Sequence, residues 1–400
     1  MIFYLASIFL FAVVSAIPSG RVDVVFPSVE TSRSGVKIIK FRALNEEIEL
    51  KLEPAGEILA ENFTLLDGKN QIRHSIDVEK LKSKLYRDSS NGAALKIDDD
   101  GPATIEGIVN SKLRIAPHES GRSAEDGRIA HQIVEVISDD ESFGYDSVMR
   151  INVNDQIENV ARVARDDQCI VVEYLAVTES NFTKRFRSDK YLTQYISILY
   201  LGVQNIFDTL KMGIKIRVLG ISSFTKETEP SFIEQSAIRG AEEYLNPFNL
   251  LNNMLNYYCT HYTGLAKDAD IIMLSVSRRL AKIIDDNTLS LSIEGITYLA
   301  GVCDCNKVGI TFDNSDYFER VILVAHESAH LLGSPHDGDG PNKGPAGNPG
   351  ALDCPKTDGY IMGDRSDDDK KYKFSECSKR CIEYLLSLPR ASCVFEDCKT

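Results

Sequence analysis

Hydrophobic and polar positions divide the chain into stretches of different character. Met1 to Ala16 (MIFYLASIFLFAVVSA) is an apolar run too short to span a bilayer, and it ends in small residues, with Val14 and Ala16 flanking Ser15. This is the pattern of a cleaved signal peptide, residues 1–16, although its first positions lack the usual basic residue. From Ile17 to about Asn159 short alternating segments follow, such as Val36-Lys37-Ile38-Ile39 and Ile133-Val134-Glu135-Val136, separated by turn-rich runs including Asp98-Asp99-Asp100-Gly101. They predict a mostly β unit, with the acidic triplet a solvated turn rather than a metal site, because nothing nearby supplies the other ligands.

Beyond Asp166 the pattern alternates between two periods. Ile170 to Val177 reads as a buried strand. Leu192, Tyr195, Ile196, Leu199, Val203, Ile206 and Leu210 form one stripe of a long helix from about Ser188 to Met212, with Gly213 as its stop. Ile214 to Val218 alternates as a half-buried strand, and a second helical region starts near Ser231, where Glu234 completes a capping box. Asp270 to Val276 and Gly295 to Cys303 are further short apolar strands. This order predicts a mixed α/β sheet with crossover helices.

Composition adds boundaries rather than chemistry. The chain has 400 residues, which suits two packed units and a processing segment, and its net charge of -14 argues against a nucleic-acid partner. All nine cysteines lie between Cys169 and Cys398, so one part is suited to disulfide stapling and the other depends on its core alone. At that boundary Arg162-Val163-Ala164-Arg165 precedes Asp166-Asp167, an exposed, cleavable arrangement that points to processing after Arg165. The predicted division is therefore a signal peptide at 1–16, a prodomain at 17–165 and a main domain at 166–400. The sequons at Asn62 and Asn181 fit passage through the secretory pathway, and no later segment approaches transmembrane length. An odd cysteine count leaves at least one thiol outside intrachain pairs.

The chemistry is concentrated in residues 326–337, HESAHLLGSPHD, where three of the chain's seven histidines lie within eleven residues. On a helix His326 and His330 stand one above the other and can share a metal. Asp316 with Glu319 is placed to cap that helix, and Val321, Leu323 and Val324 supply its buried flank. Gly333 accepts the left-handed conformation that ends the helix and brings His336 back as the third ligand. Three imidazoles leave a tetrahedral zinc with its fourth place open, the catalytic arrangement, and Glu327 beside the first ligand is the candidate general base for amide hydrolysis. A purely structural zinc would need a fourth protein ligand and gains nothing from Glu327.

The elongated motif with Asp337 directly after the third histidine resembles the metzincin clan, and within it the reprolysin (adamalysin) family, of which that aspartate is the mark. The resemblance covers about Asp166 to Asp397, and Leu113 to Glu135 looks like the prodomain of tick salivary reprolysins. It implies a secreted zinc endopeptidase acting on extracellular proteins, among them host haemostatic and matrix proteins, with a zinc helix and a long-helix α/β fold. Gly359-Tyr360-Ile361-Met362 resembles the Met-turn, which would place Met362 beneath the zinc. Gly295 to Gly309 resembles the family's edge strand, where an extended peptide binds by strand addition, and 374–378 resembles the opening of its last helix. The resemblance further implies pairing of Cys303 with Cys393 and of Cys354 with Cys377, leaving Cys169, Cys259, Cys305, Cys381 and Cys398 unassigned. Glu173, Asp268 and Glu396 fall where the family often builds a calcium site, scattered surface carboxylates being the alternative. Two features depart from the family. Residues 17–165 contain no cysteine, so latency through a prodomain thiolate is excluded and another blockade, such as a steric one, must act. The chain also ends at Thr400 without a disintegrin or full cysteine-rich domain. A second reading of the whole is a catalytically silent metzincin scaffold that acts as a binding or decoy protein, against which the intact Glu327 argues.

Overall fold

The computed structural model describes residues 20–73, 75–136, 145–149, 168–285, 288–341, 345–365 and 368–398. The signal-peptide run and the Arg162 to Arg165 processing site lie outside them. Most of the N-terminal stretch forms a nine-stranded, wholly antiparallel sheet between Val22 and Glu135. Strict alternation builds it: Lys37–Ala43 and Glu46–Pro54 bury every second side chain, so Ile39, Leu50 and Leu52 join Leu95, Ile97 and Ile133 in its core. The acidic triplet lies in an exposed turn, as expected, and is also ion-paired, with Lys37 2.6 Å from Asp99 and Lys84 2.7 Å from Asp100.

The second sheet is mixed. Its main path runs Tyr145–Met149, Ile293–Tyr298, Val308–Phe312, Ile271–Val276, Gln168–Thr178, Lys215–Ser223 and Leu59–Asp67. Along that path only the contact of Ile293–Tyr298 with Val308–Phe312 is antiparallel. Central strands covered on both faces read as unbroken apolar runs, and all six residues of Ile271–Val276 are buried. Both outer strands of the path come from the N-terminal stretch. Leu59–Asp67 pairs with Lys215–Ser223 at one side, and Tyr145–Met149 pairs with Ile293–Tyr298 at the other. The cysteine-free stretch therefore completes the sheet of the cysteine-bearing one.

The long helix spans Asp189–Asp208 and is buried nearly all round, because it lies between the two halves. Asn205 donates to the Ala93 carbonyl of the N-terminal sheet (2.9 Å), and the same helix also meets the helix Val321–Leu331. The contact is close at Gly202, where a Cβ would fall 2.7 Å from Val321 and 2.8 Å from Ile108. Two capping expectations are corrected. Ser231–Glu234 is a single turn without a side-chain cap, and the longer helix in that region is Pro247–Thr260, whose N-cap Asn246 accepts from the amides of Phe248 and Asn249. Val321–Leu331 likewise has no side-chain cap; Asp316 pairs with Arg185 instead (3.1 Å).

Disulfides join Cys303 to Cys393, Cys354 to Cys377, Cys169 to Cys398 and Cys259 to Cys305, and Cys381 is a buried free thiol. At the calcium position Arg217 reaches Glu173 (3.0 Å) and Glu396 (2.7 Å), so a guanidinium satisfies those two carboxylates. Asn62 is exposed on its strand, whereas Asn181 is half-buried with its amide donating to Glu179 (3.2 Å). No helix among the described residues is long and apolar enough to cross a membrane.

Because Gly202 sets the approach of the long helix to both Val321 and Ile108, Gly202→Val is expected to destabilise the full chain by about 1–3 kcal/mol through overpacking. Denaturant unfolding measures this, and an unchanged midpoint would show that the interface can yield.

Candidate metal centre

Every residue of the helix Val321–Leu331 is buried, so its two histidines enter a site screened from bulk water. The helix ends at Leu331, and Gly333 turns the chain with φ 94°. A side chain there would also meet Leu385, whose Cβ lies 2.9 Å from the position of an added Cβ. The turn is held by Gly333 N–H donating to His330 O and Ser334 N–H to Ala329 O, both 2.9 Å, and by Asn348 donating to Gly333 O (3.0 Å). His336 returns to the mouth of the site with its side chain 34% exposed, while those of His326 and His330 are buried.

Backbone carbonyls orient the rings. His326 Nδ1 lies 2.7 Å from Ile361 O and His330 Nδ1 lies 2.7 Å from Ser334 O. A carbonyl can only accept, so in both rings the proton sits on Nδ1 and the lone pair on Nε2. Those two Nε2 atoms face one another at 3.1 Å. Burial favours the neutral form, lowering His326 to about 3 and lowering His330 as well, so no proton lies between the lone pairs. At His336 burial acts in the same direction, but the hydrogen bond and charge of Asp146, with Asp339, outweigh it and raise the ring.

The structure brings in one residue that the motif did not disclose. Asp146 Oδ2 lies 3.1 Å from His326 Nε2 and 2.8 Å from His330 Nε2, and its Oδ1 lies 2.8 Å from His336 Nε2. Asp146, His326, His330 and His336 each offer one donor atom, all within 4.8 Å of one another. Nitrogen and carboxylate donors at this spacing suit a divalent cation such as zinc. An ion between the two facing lone pairs would turn their repulsion into ligation. Only the absence of cysteine in the same stretch hinted that another group had to cover the site; nothing in the spacing picked out Asp146.

Around this centre, Glu327 is fully buried and neither carboxylate oxygen has a hydrogen-bond partner among the described residues. Burial raises its carboxyl well above the usual range, Asp146 adds to the shift, and Arg365 opposes it. Room for that carboxylate depends on Gly295, where a Cβ would lie 2.0 Å from Glu327 Oε1. Met362 is fully buried, and its carbonyl accepts from the Asp337 amide (2.9 Å). Asp337 accepts from Ser375 Oγ (2.6 Å), and burial pushes its carboxyl up to about 6. The strand Ile293–Tyr298, expected to receive an extended peptide, already carries Tyr145–Met149 along its outer edge.

Comparison with known proteins gives the chain a family. Residues 170–375 match the reprolysin-type model of metallo-peptidase family M12. The chain is 58% identical over 400 residues to the venom metalloproteinase antarease TserMP_A of Tityus serrulatus, covering 100% of this chain and 99% of that protein. It is 57% identical over 400 residues to an antarease-like venom metalloproteinase of Tityus trivittatus, again covering 100% and 99%. The venom metalloproteinase BumaMPs1 of Olivierus martensii is 40% identical over 395 residues, covering 98% of this chain and 97% of that protein.

If the three imidazoles hold the ion, His336→Ala should bring metal content well below one ion per chain in protein freed of residues 17–165, since two imidazoles leave the metal undercoordinated. Metal analysis of wild type and variant decides it; equal contents would remove His336 from the ligand set.

Proposed function

This chain belongs to the reprolysin-type metallo-peptidase family M12 and is a metalloendopeptidase, and from that premise we propose that it is secreted and cleaves extracellular proteins at a zinc held by His326, His330 and His336. The similarity to venom metalloproteinases supports extracellular action. In this reading Val321–Leu331 is the zinc helix and the turn at Met362 is the Met-turn, an apolar floor under the metal. When bound, zinc supplies Lewis-acid chemistry, acidifying water and polarising a carbonyl.

The remaining chemistry falls to side chains. Glu327 accepts a proton from the attacking water and passes it to the leaving amide nitrogen, which needs a carboxylate beside the metal and unsatisfied by the protein. The observation that carries the reading is that both Glu327 oxygens are buried and without a hydrogen-bond partner among the described residues, one helical position from His326. Asp337, tied to Ser375 and to the Met362 carbonyl, fixes the chain just after the third histidine. The edge of Ile293–Tyr298 offers backbone groups to an extended substrate once the strand now on it has left. Release of that strand is assigned to cleavage after Arg165.

Glu327→Gln in the processed enzyme is expected to retain zinc and fold while losing activity by about a hundred- to ten-thousand-fold, the usual worth of a positioned proton carrier. Casein cleavage and metal content are measured on the same preparation. Activity surviving in a zinc-loaded variant would assign the base to another residue.

A further inference from the structure

Resting on the zinc reading above, we infer that Asp146 is a fourth protein donor to the metal in the uncleaved chain, so that a carboxylate holds the enzyme latent. Its two oxygens reach all three histidine Nε2 atoms within 2.8–3.1 Å, the position that the attacking water must take. The backbone aims it there. Tyr145–Met149 runs parallel to Ile293–Tyr298, with Tyr145 opposite Ile293 and Ser147 opposite Ile296. Two residues of one strand advance against three of the other, so the register breaks at Asp146. Glu294 and Gly295 lie across from this break, and Gly295 is the position where a side chain would strike Glu327. The irregularity thus serves both carboxylates, passing Asp146 to the histidines and leaving Glu327 its space.

Two further observations fit the assignment. The N-terminal stretch contains no cysteine, so no thiolate is available for this position. The strand is also well anchored beyond the aspartate, since Leu299 N–H donates to Met149 O (2.9 Å) and Ala300 N–H donates to His330 O (2.8 Å), which ties the end of the edge strand to the metal-binding helix. The strand takes the edge that a substrate would use and presents a side-chain carboxylate, which has no scissile bond, at the reacting point. Latency here is reversible ligand exchange, in which the carboxylate leaves and water enters without any redox or covalent step at the metal.

The test uses the uncleaved full chain carrying Glu327→Gln to prevent self-cleavage, loaded with Co2+ as a spectroscopic stand-in for zinc. Asp146→Ala and Asp146→Asn are compared with it by visible absorption and by the rate of cobalt loss to a chelator. Loss of a carboxylate ligand is expected to change the cobalt bands and to speed release by about ten- to a hundred-fold. Free acetate should return the Ala variant toward the parent spectrum, which a role in strand packing would not produce. If Asp146→Ala fails to fold, Asp146→Asn, which keeps the side-chain volume, decides the matter. Parent-like spectra and release rates in the folded variants would overturn the inference while leaving the three-histidine site intact. Failure of the parent chain itself to take up cobalt would instead overturn the zinc reading on which the inference rests.

Discussion

Two imidazole nitrogens whose lone pairs face each other at 3.1 Å impose the constraint around which the molecule is arranged. Left alone, such a pair is repulsive and buried, and the protein gains nothing by holding it. The fold nevertheless fixes it firmly. Nδ1 of each ring is committed to a backbone carbonyl, and each carbonyl belongs to a turn held from elsewhere: Ile361 by the segment leading to Met362, Ser334 by the reversal at Gly333. The Gly333 turn in turn rests on Asn348 and packs against Leu385 in the helix Glu376–Leu386. Preorganisation at that expense is the mark of a binding centre, because a cation recovers the cost that the apolar interior alone would not.

Charge burial around the centre follows the same logic. Glu294, next to the glycine that makes room for Glu327, pairs with Arg320 at 2.7 Å, and both side chains are almost wholly buried. Removing one partner of such a pair typically costs about 3–5 kcal/mol, so it locks the edge strand to the start of the metal-binding helix more strongly than a surface pair would. Arg114 of the N-terminal sheet adds a second tie by donating to the Tyr317 carbonyl (2.7 Å), in the loop that leads into the same helix. The N-terminal stretch therefore holds the approach to the site as well as its mouth.

What could be read from the sequence was what is local. The i, i+4 pair at His326 and His330, the glycine stop and the long apolar stripe at 192–210 each depend on residues within a few turns of one another, and the structure has the corresponding helices and turn. Capping predictions failed for the same reason in reverse: Asp316 lies in capping distance along the sequence, but Arg185, 131 residues away, takes its carboxylate. The Asn246-Pro247 signal for the helix Pro247–Thr260 was present but unread. Asp146 could not be found from spacing, since 180 residues separate it from His326 and only strand pairing brings them together. The two outer strands were equally hidden, because a strand pattern does not say which sheet it joins.

Sheet completion from both sides gives the N-terminal stretch a role beyond covering one residue. A parallel sheet with bare outer strands exposes unpaired amides and carbonyls, a liability that proteins normally cover. Here Leu59–Asp67 closes the side at Lys215–Ser223, far along the sheet from the histidines, while Tyr145–Met149 closes the side next to them. The two closures differ in what their loss would expose. Uncovering Lys215–Ser223 leaves an edge at the other end of the sheet from the histidines, whereas uncovering Ile293–Tyr298 opens backbone groups directly beside Glu327. On the proposed reading, the edge that holds the inhibitory strand is the one a substrate would occupy. Affinity for an extended chain is then a property of the edge itself, and what separates inhibitor from substrate is the group presented to the metal: a carboxylate in one case, a peptide carbonyl in the other.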